Sequence, residues 1–194
     1  AGQSPVRLGV TRFAQPPRAD VPFFTDTLRK AGYWVGLDGR HQHLDGRVKE
    51  TPHIDATLQA AGMQNLAARF DHFVRHASTK GNQLPRVAER VSAALDGVPD
   101  GRPFFLYFGF NQPHRRFSKQ HRGINPSELT LPDDWPDLPE VREDYARFLS
   151  DVRDLDYGFG LIMQLLQQRD LVDNTIVIFM GDNGEALLRG KGTL

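Results

Sequence analysis

Three short, almost uninterrupted apolar runs constrain the fold more than any other feature: YWVGL at 33–37, PFFLYFGF at 103–110 and TIVIFM at 175–180. Each is too short for an ordinary helix, is rich in aromatic or β-branched residues and is bounded by glycine or polar residues, so each reads as a strand. A strand apolar on both faces is buried on both, the habit of parallel sheets covered by helices. The runs at 103–110 and 175–180 are therefore expected to be buried strands, the former a central one. Helical patterns fall between them. Residues 20–31 place Pro22 near the first turn and Phe24, Leu28 and Ala31 on one face, with Gly32 as the stop signal. Residues 84–95 carry Val87, Val91 and Leu95 at four-residue spacing, and 140–168 read as one long helix with Tyr145, Leu149, Val152, Leu155 and Phe159 inward. Gly158 and Gly160 weaken the middle of that helix. Residues 57–61 and 66–76 are weaker helical patterns, and the proline-rich stretch 125–139 reads as a long surface loop. Helix, strand and loop in repeated succession predict an α/β fold with a mostly parallel sheet flanked by helices.

Composition narrows the chemistry. The 24 Lys and Arg cancel the 24 Asp and Glu, so no global field draws the chain to nucleic acid or to an anionic membrane. Any anion must be held by a local cluster. The absence of cysteine removes disulfides, thiolate metal ligands and thiol nucleophiles from this stretch. No apolar run approaches the roughly 18 residues of a membrane span. The first residues, AGQSPVRLGV, lack the apolar core of a signal peptide.

Ligands of open α/β sheets bind beyond the carboxyl ends of the strands, and a polar cluster follows each of the three runs. After the first comes Gly39-Arg40-His41-Gln42-His43-Leu44-Asp45-Gly46. Arg40 offers a planar fork of donors suited to sulfate or phosphate, and a histidine there moves a proton near neutral pH. After the second comes Asn111-Gln112-Pro113-His114-Arg115-Arg116, where Pro113 restrains the backbone before His114 at a sheet edge. After the third come Asp182-Asn183-Gly184-Glu185 and Arg189-Gly190-Lys191-Gly192-Thr193. The carboxylate of Asp182 and amide oxygen of Asn183 are hard ligands that suit Ca²⁺ or Mg²⁺, and glycines flanking Lys191 allow close approach to an anion. The last segment is not a P-loop, because the GxxxxGK[ST] spacing is absent. Each cluster singly is an ordinary surface loop or turn; their recurrence at successive strand ends describes a divalent cation beside a tetrahedral oxyanion. His53, His72, His76 and His121 sit in no comparable setting and read as surface or packing residues. His72 and His76 have a zinc-compatible spacing but no third ligand in sequence.

These residues resemble the sulfatase family. FMGDNGEALLRGKGTL is similar to the segment in which a strand ends in Ser-Asp-(Asn/His)-Gly and is followed by Gly-Lys-x-Thr. GLDGRHQHLDG resembles the family's Gly-Lys-x-x-His-Leu-Gly, and PFFLYFGFNQPHRRF resembles the strand ending in Pro-His-x-Pro-Phe. YARFLSDVRDLDYGFGLIMQLLQQRDLVDNTIVIF keeps the family's spacing of Leu-Asp, Gly, Leu and Asp-Asn-Thr. The resemblance implies an alkaline-phosphatase-like α/β fold, with residues 1–194 an internal part of a catalytic domain truncated at both ends. It also implies hydrolysis of a sulfate ester, small molecule or glycan.

The same resemblance implies residue roles. Asp182 and Asn183 would ligate one Ca²⁺ or Mg²⁺. Lys191 would hold a sulfate oxygen and the bridging ester oxygen. His114 would protonate, or hydrogen-bond to, the leaving oxygen, and His43 would be the base that releases sulfate. Arg40 stands where the family has lysine, and the choice of His43 over His41 is one of register. The formylglycine nucleophile, made from the Cys/Ser of a Cys/Ser-x-Pro-x-Arg motif, is expected upstream of Ala1, since Ser4-Pro5-Val6-Arg7 would put Gln3 in its place. The chain by itself is therefore expected to be inactive. A periplasmic, secreted or lysosomal location follows from the family. The alternatives are a phosphonate or phosphodiester hydrolase of the same superfamily and a non-catalytic truncated homologue.

Overall fold

A computed structural model of the chain describes residues 2–10, 16–41, 59–62, 67–74 and 78–191. They gather into two compact units, Ala1–Ala77 with Arg90–Gly109, and Ser78–Glu89 with Phe110–Leu194.

The first unit is a parallel sheet with helices, as the apolar runs predict. Helix α1 (Phe24–Lys30) begins where the Asp26 carboxylate accepts the Phe23 N–H at 2.8 Å, satisfying one of the amides that a helix start leaves open. It ends at Gly32, whose φ of 92° is costly for any residue with a Cβ. Strand β1 (Trp34–Asp38) is buried at every position. It lies between β2 (His72–Val74) and β3 (Phe104–Phe108), both parallel to it. Burial on both faces suits the apolar side chains of Val35 and Leu37; each contributes about 1.5–3 kcal/mol by leaving water. Gly36 is dictated by space, since a Cβ there would sit 2.8 Å from both Leu106 and the Trp34 ring.

Two expectations are corrected. Residues 67–74, the described part of the 66–76 span, form no α-helix: Ala67–Arg69 make a single 3₁₀ turn and β2 follows. Pairing with the edge of β1 outweighs the helical spacing there: Asp71 donates its N–H to Val35 O at 2.8 Å and takes the Val35 N–H on its carboxylate at 2.9 Å. The run at 103–110 forms β3, but β1 is the central strand. β3 is only half-buried, with Tyr107 46% exposed, because no described strand covers its other edge. Helix α2 (Val87–Asp96) arises inside the predicted span after a 3₁₀ turn, Gly81–Arg86, that contains Pro85. Proline lacks the N–H an α-helix interior needs.

The second unit is organised on α3 (Pro139–Gln168), a 30-residue helix with proline in its first turn, within one residue of the span read from sequence. Its most buried positions are Ala146, Ser150, Asp151, Asp154, Gly158 and Leu166, rather than the expected apolar stripe, which is half-buried. Small and acidic residues occupy the tightest face because a basic loop packs on it. The Pro-rich segment is held to the same helix by Arg142, which donates to Leu129 O at 2.7 Å and to the Asp137 carboxylate at 2.8 Å. Trp135 packs edge-on to Tyr145 at 5.3 Å.

The run at 175–180 is the largest departure. It is irregular, with Ile176 91% and Met180 79% exposed, not a buried strand. Parallel strands exist only with backbone partners, and among the described residues none pairs with it.

The two helix glycines are not equivalent. A Cβ at Gly158 would meet Phe110 at 2.8 Å and Leu84 at 2.9 Å, whereas Gly160 has nothing within 4 Å. Gly158→Ala is expected to destabilise by about 1–3 kcal/mol through overpacking, and Gly160→Ala to stabilise by about 0.5–1 kcal/mol through helix propensity. Denaturant titration of both variants checks the opposite signs.

Candidate active site

The carboxyl ends of β1 and β3 are in register, Asp38 against Phe108, and the ladder runs on as Gly109 N donates to Asp38 O at 2.9 Å. The chain leaves β1 through Gly39 and Arg40, with φ of 78° and 54°. The left-handed pair turns the backbone sharply at the strand end. Glycine takes this φ freely, while arginine takes it at a cost. Room for the Arg40 stem comes from Gly109, where a Cβ would lie 2.5 Å from the Arg40 Cγ. His41 is fully buried and meets the Phe73 ring edge-on at 5.8 Å. His43 lies outside the described residues.

Asp38, 1% exposed, ends β1 with its carboxylate on the Arg90 guanidinium. His72 stands beside it, Nε2 3.9 Å from the Asp38 carboxylate and without a hydrogen-bond partner among the described residues. Burial lowers the His72 pKa from its ordinary value. Burial thus favours the neutral ring.

In the second unit, Asn111, Gln112 and Pro113 lead to His114. The 79–80 segment, which the sequence reading passed over, fastens this exit. Thr79, fully buried, accepts the Asn111 N–H at 2.8 Å and gives its own N–H to the Asn111 side-chain oxygen at 2.9 Å. Its carbonyl accepts from the Gln112 amide at 2.8 Å. Lys80 Nζ donates to the carbonyls of His114 at 2.6 Å and Arg116 at 2.8 Å, and to the Asp151 carboxylate at 2.9 Å. His114 itself is exposed. Its Nδ1 lies on the Arg115 carbonyl; a carbonyl only accepts, so Nδ1 carries the proton and Nε2 is left for chemistry.

Residues 114–122 lie along α3 as a basic strip on acidic partners. Arg115 bonds Asp144 through both terminal nitrogens, with one contact of 2.8 Å. Ser118 N–H donates to Asp151 at 3.0 Å, His121 meets Glu143 at 3.0 Å, and Arg122 meets Asp154 at 2.8 Å. Hydrogen bonding from Asp144 raises the Arg115 pKa, and hydrogen bonding from His121 lowers that of Glu143. The signal was present in sequence as Glu143, Asp144, Asp151 and Asp154 on one helical face.

The third cluster is an exposed loop. Lys191 Nζ donates to the Asn183 side-chain oxygen at 2.9 Å, and Lys191 N–H donates to Glu185 O at 2.8 Å. Gly190 is required by that turn, since a Cβ would fall 2.6 Å from Glu185 O; the glycine serves turn closure in this structure. Arg115 Nε donates to Ala186 O at 2.6 Å, tying the loop of His114 to the loop of Asp182, Asn183 and Lys191. The structure thus brings Asn183 and Lys191 into contact and links their loop to that of His114. Arg40 stands in the first unit.

A sequence model of the sulfatase family matches residues 1–194. The chain belongs to the sulfatase family. It is 30% identical to the human N-sulphoglucosamine sulphohydrolase over 138 residues, covering 59% of this chain and 27% of that protein. Identity is 32% over 100 residues to an endo-4-O-sulfatase of Bacteroides thetaiotaomicron, 44% of this chain and 19% of the relative. It is 24% over 191 residues to an ulvan-active sulfatase of Formosa agariphila, 94% of this chain and 32% of the relative. The chain thus spans about a fifth to a third of the length of these relatives. The parallel sheet flanked by helices agrees with the family's alkaline-phosphatase-like α/β fold.

Asp182 and Asn183 would be part of the donor set if a cation bound here. Both offer hard oxygens, and the Asn183 oxygen already faces a positive charge, the Lys191 ammonium. Among the described residues no three His, Asp or Glu side chains gather into a complete metal cluster, so further ligands must complete the six to eight oxygens typical of Ca²⁺.

The His72 shift gives this sulfatase chain a pH dependence. With its folded pKa depressed, the unfolded state takes the proton first, so His72 contributes stability above about pH 6.5 that is lost as pH falls toward the folded pKa. Denaturant titration between pH 7.5 and 5 should show a smaller loss for His72→Gln than for the unaltered chain. Equal losses contradict the assignment.

Proposed function

We propose that the protein carrying this chain hydrolyses a sulfate ester of a sugar, and that residues 1–194 supply the cation-binding and leaving-group side of its catalytic domain. The reading is carried by the Arg115–Ala186 hydrogen bond of 2.6 Å, which couples the one loop holding His114 to the other holding Asp182, Asn183 and Lys191. The choice of a sugar is supported by relatives named for sulphoglucosamine and for N-acetylgalactosamine 6-sulfate chemistry.

Each residue has a physical part. Asp182 and Asn183 would hold Ca²⁺ or Mg²⁺, and the Lys191 ammonium, which donates to the Asn183 oxygen at 2.9 Å, would donate to a sulfuryl oxygen. Positive charge fixed at the developing negative charge is the usual main source of rate in such transfers. When bound, the cation supplies Lewis-acid polarisation, and a formylglycine from outside this chain supplies the nucleophile. His114, its Nδ1–H on the Arg115 carbonyl, offers Nε2–H to the leaving oxygen when protonated.

Lys191→Met and Asp182→Ala in the full-length protein are each expected to lower kcat/KM on a sugar sulfate by about a hundredfold or more, with chelation of divalent cations giving a comparable loss. Steady-state assays with paired sulfate monoester and phosphate diester substrates are the check. Undiminished turnover by both variants, or preference for the phosphate diester, sinks the reading.

A further inference from the structure

We propose that Lys80 and Asp151 act as a positioning pair for His114, setting the aim of its imidazole toward the leaving oxygen. This rests on the reading of His114 given above and deepens it.

One ammonium nitrogen meets the carbonyls of His114 and Arg116 at 2.6 and 2.8 Å, so it grips the backbone on both sides of Arg115. Asp151, 1% exposed, accepts from Lys80 at 2.9 Å on one oxygen and from the Ser118 N–H at 3.0 Å on the other. A buried carboxylate of this kind persists only when paired and hydrogen-bonded, and Lys80 and the Ser118 N–H, its partners, both hold the His114 loop. Asp151 sits on α3, the most regular element of the unit. The chain of contacts therefore runs from a rigid helix, through one carboxylate and one ammonium, to the two peptide groups that orient His114. An exposed imidazole has many orientations; catalysis needs one, and misplacement of about 1 Å costs up to a hundredfold. Thr79, on the adjacent residue, fixes Asn111 and Gln112, so the 79–80 pair holds the whole exit from residue 111 to 116. The Lys80 ammonium is held by the His114 and Arg116 carbonyls and by Asp151; its part is played through His114.

The test uses the full-length protein and a series of substituted aryl sulfates ranging from good to poor leaving groups. General-acid help matters most for poor leaving groups, so His114→Ala steepens the dependence of kcat/KM on leaving-group pKa. Lys80→Met is expected to steepen it likewise, with a loss on the poorest leaving group at least about tenfold greater than on the best. Lys80→Arg, which keeps a cation and its donors, recovers most of that difference. Asp151→Asn guards against a Lys80 variant that fails to fold, and is expected to steepen the dependence in the same way. If His114→Ala steepens the dependence while Lys80→Met and Asp151→Asn lower all substrates equally, the pair is merely structural and the inference is overturned. If His114→Ala leaves the slope unchanged, the reading of His114 fails and the inference fails with it. The same follows if the unaltered protein turns over no sulfate ester.

Discussion

A basic loop laid along the acidic face of one helix holds the second unit together. The central contact is the ion pair of Lys80 with the buried Asp151. Removing one partner of a buried pair costs about 3–5 kcal/mol, because the other charge is left without solvent or counter-ion. The flanking pairs, Arg115–Asp144, His121–Glu143 and Arg122–Asp154, are more exposed and individually worth less. Their value is registration, since each fixes one more point of the loop against a helix that cannot slide. The loop in turn presents His114 outward and sends the Arg115 side chain to the Asp182–Lys191 segment.

In the first unit the ordering device is the β1 ladder. A strand buried on both faces tolerates no shift of register, because a slip would exchange every packed side chain. Register puts the ends of the three strands together and leaves Asp38, Gly39 and Arg40 at one edge. The strained φ of Arg40 survives there because the paired strand ends on either side leave its backbone little freedom.

Local pattern made much of this legible. The long helix was readable to within a residue because thirty residues of helical spacing and a leading proline agree. β1 and β3 were readable from continuous apolar sequence. What was not legible depended on partners distant in sequence. β2 looked helical, and only the edge of β1 makes it a strand. The 175–180 run has the composition of a buried strand, and among the described residues it has no neighbour that would make it one. Lys80 carries no motif, and its role appears only when residues 114, 116 and 151 are seen around one nitrogen. Asn183 and Lys191 were named from the family's pattern, and the structure adds their contact at 2.9 Å.

The central claim is that Asp182, Asn183, Lys191 and His114, whose loops are joined through Arg115, serve one cation and one four-oxygen anion. A crystal structure of the full-length protein with Ca²⁺ and inorganic sulfate tests it most directly. The account predicts an anomalous peak about 2.3–2.6 Å from oxygens of Asp182 and Asn183, with sulfate within hydrogen-bond reach of Lys191 and His114. Cation and sulfate seated away from these side chains, with His114 and Asp182 facing different solvent surfaces, would contradict it.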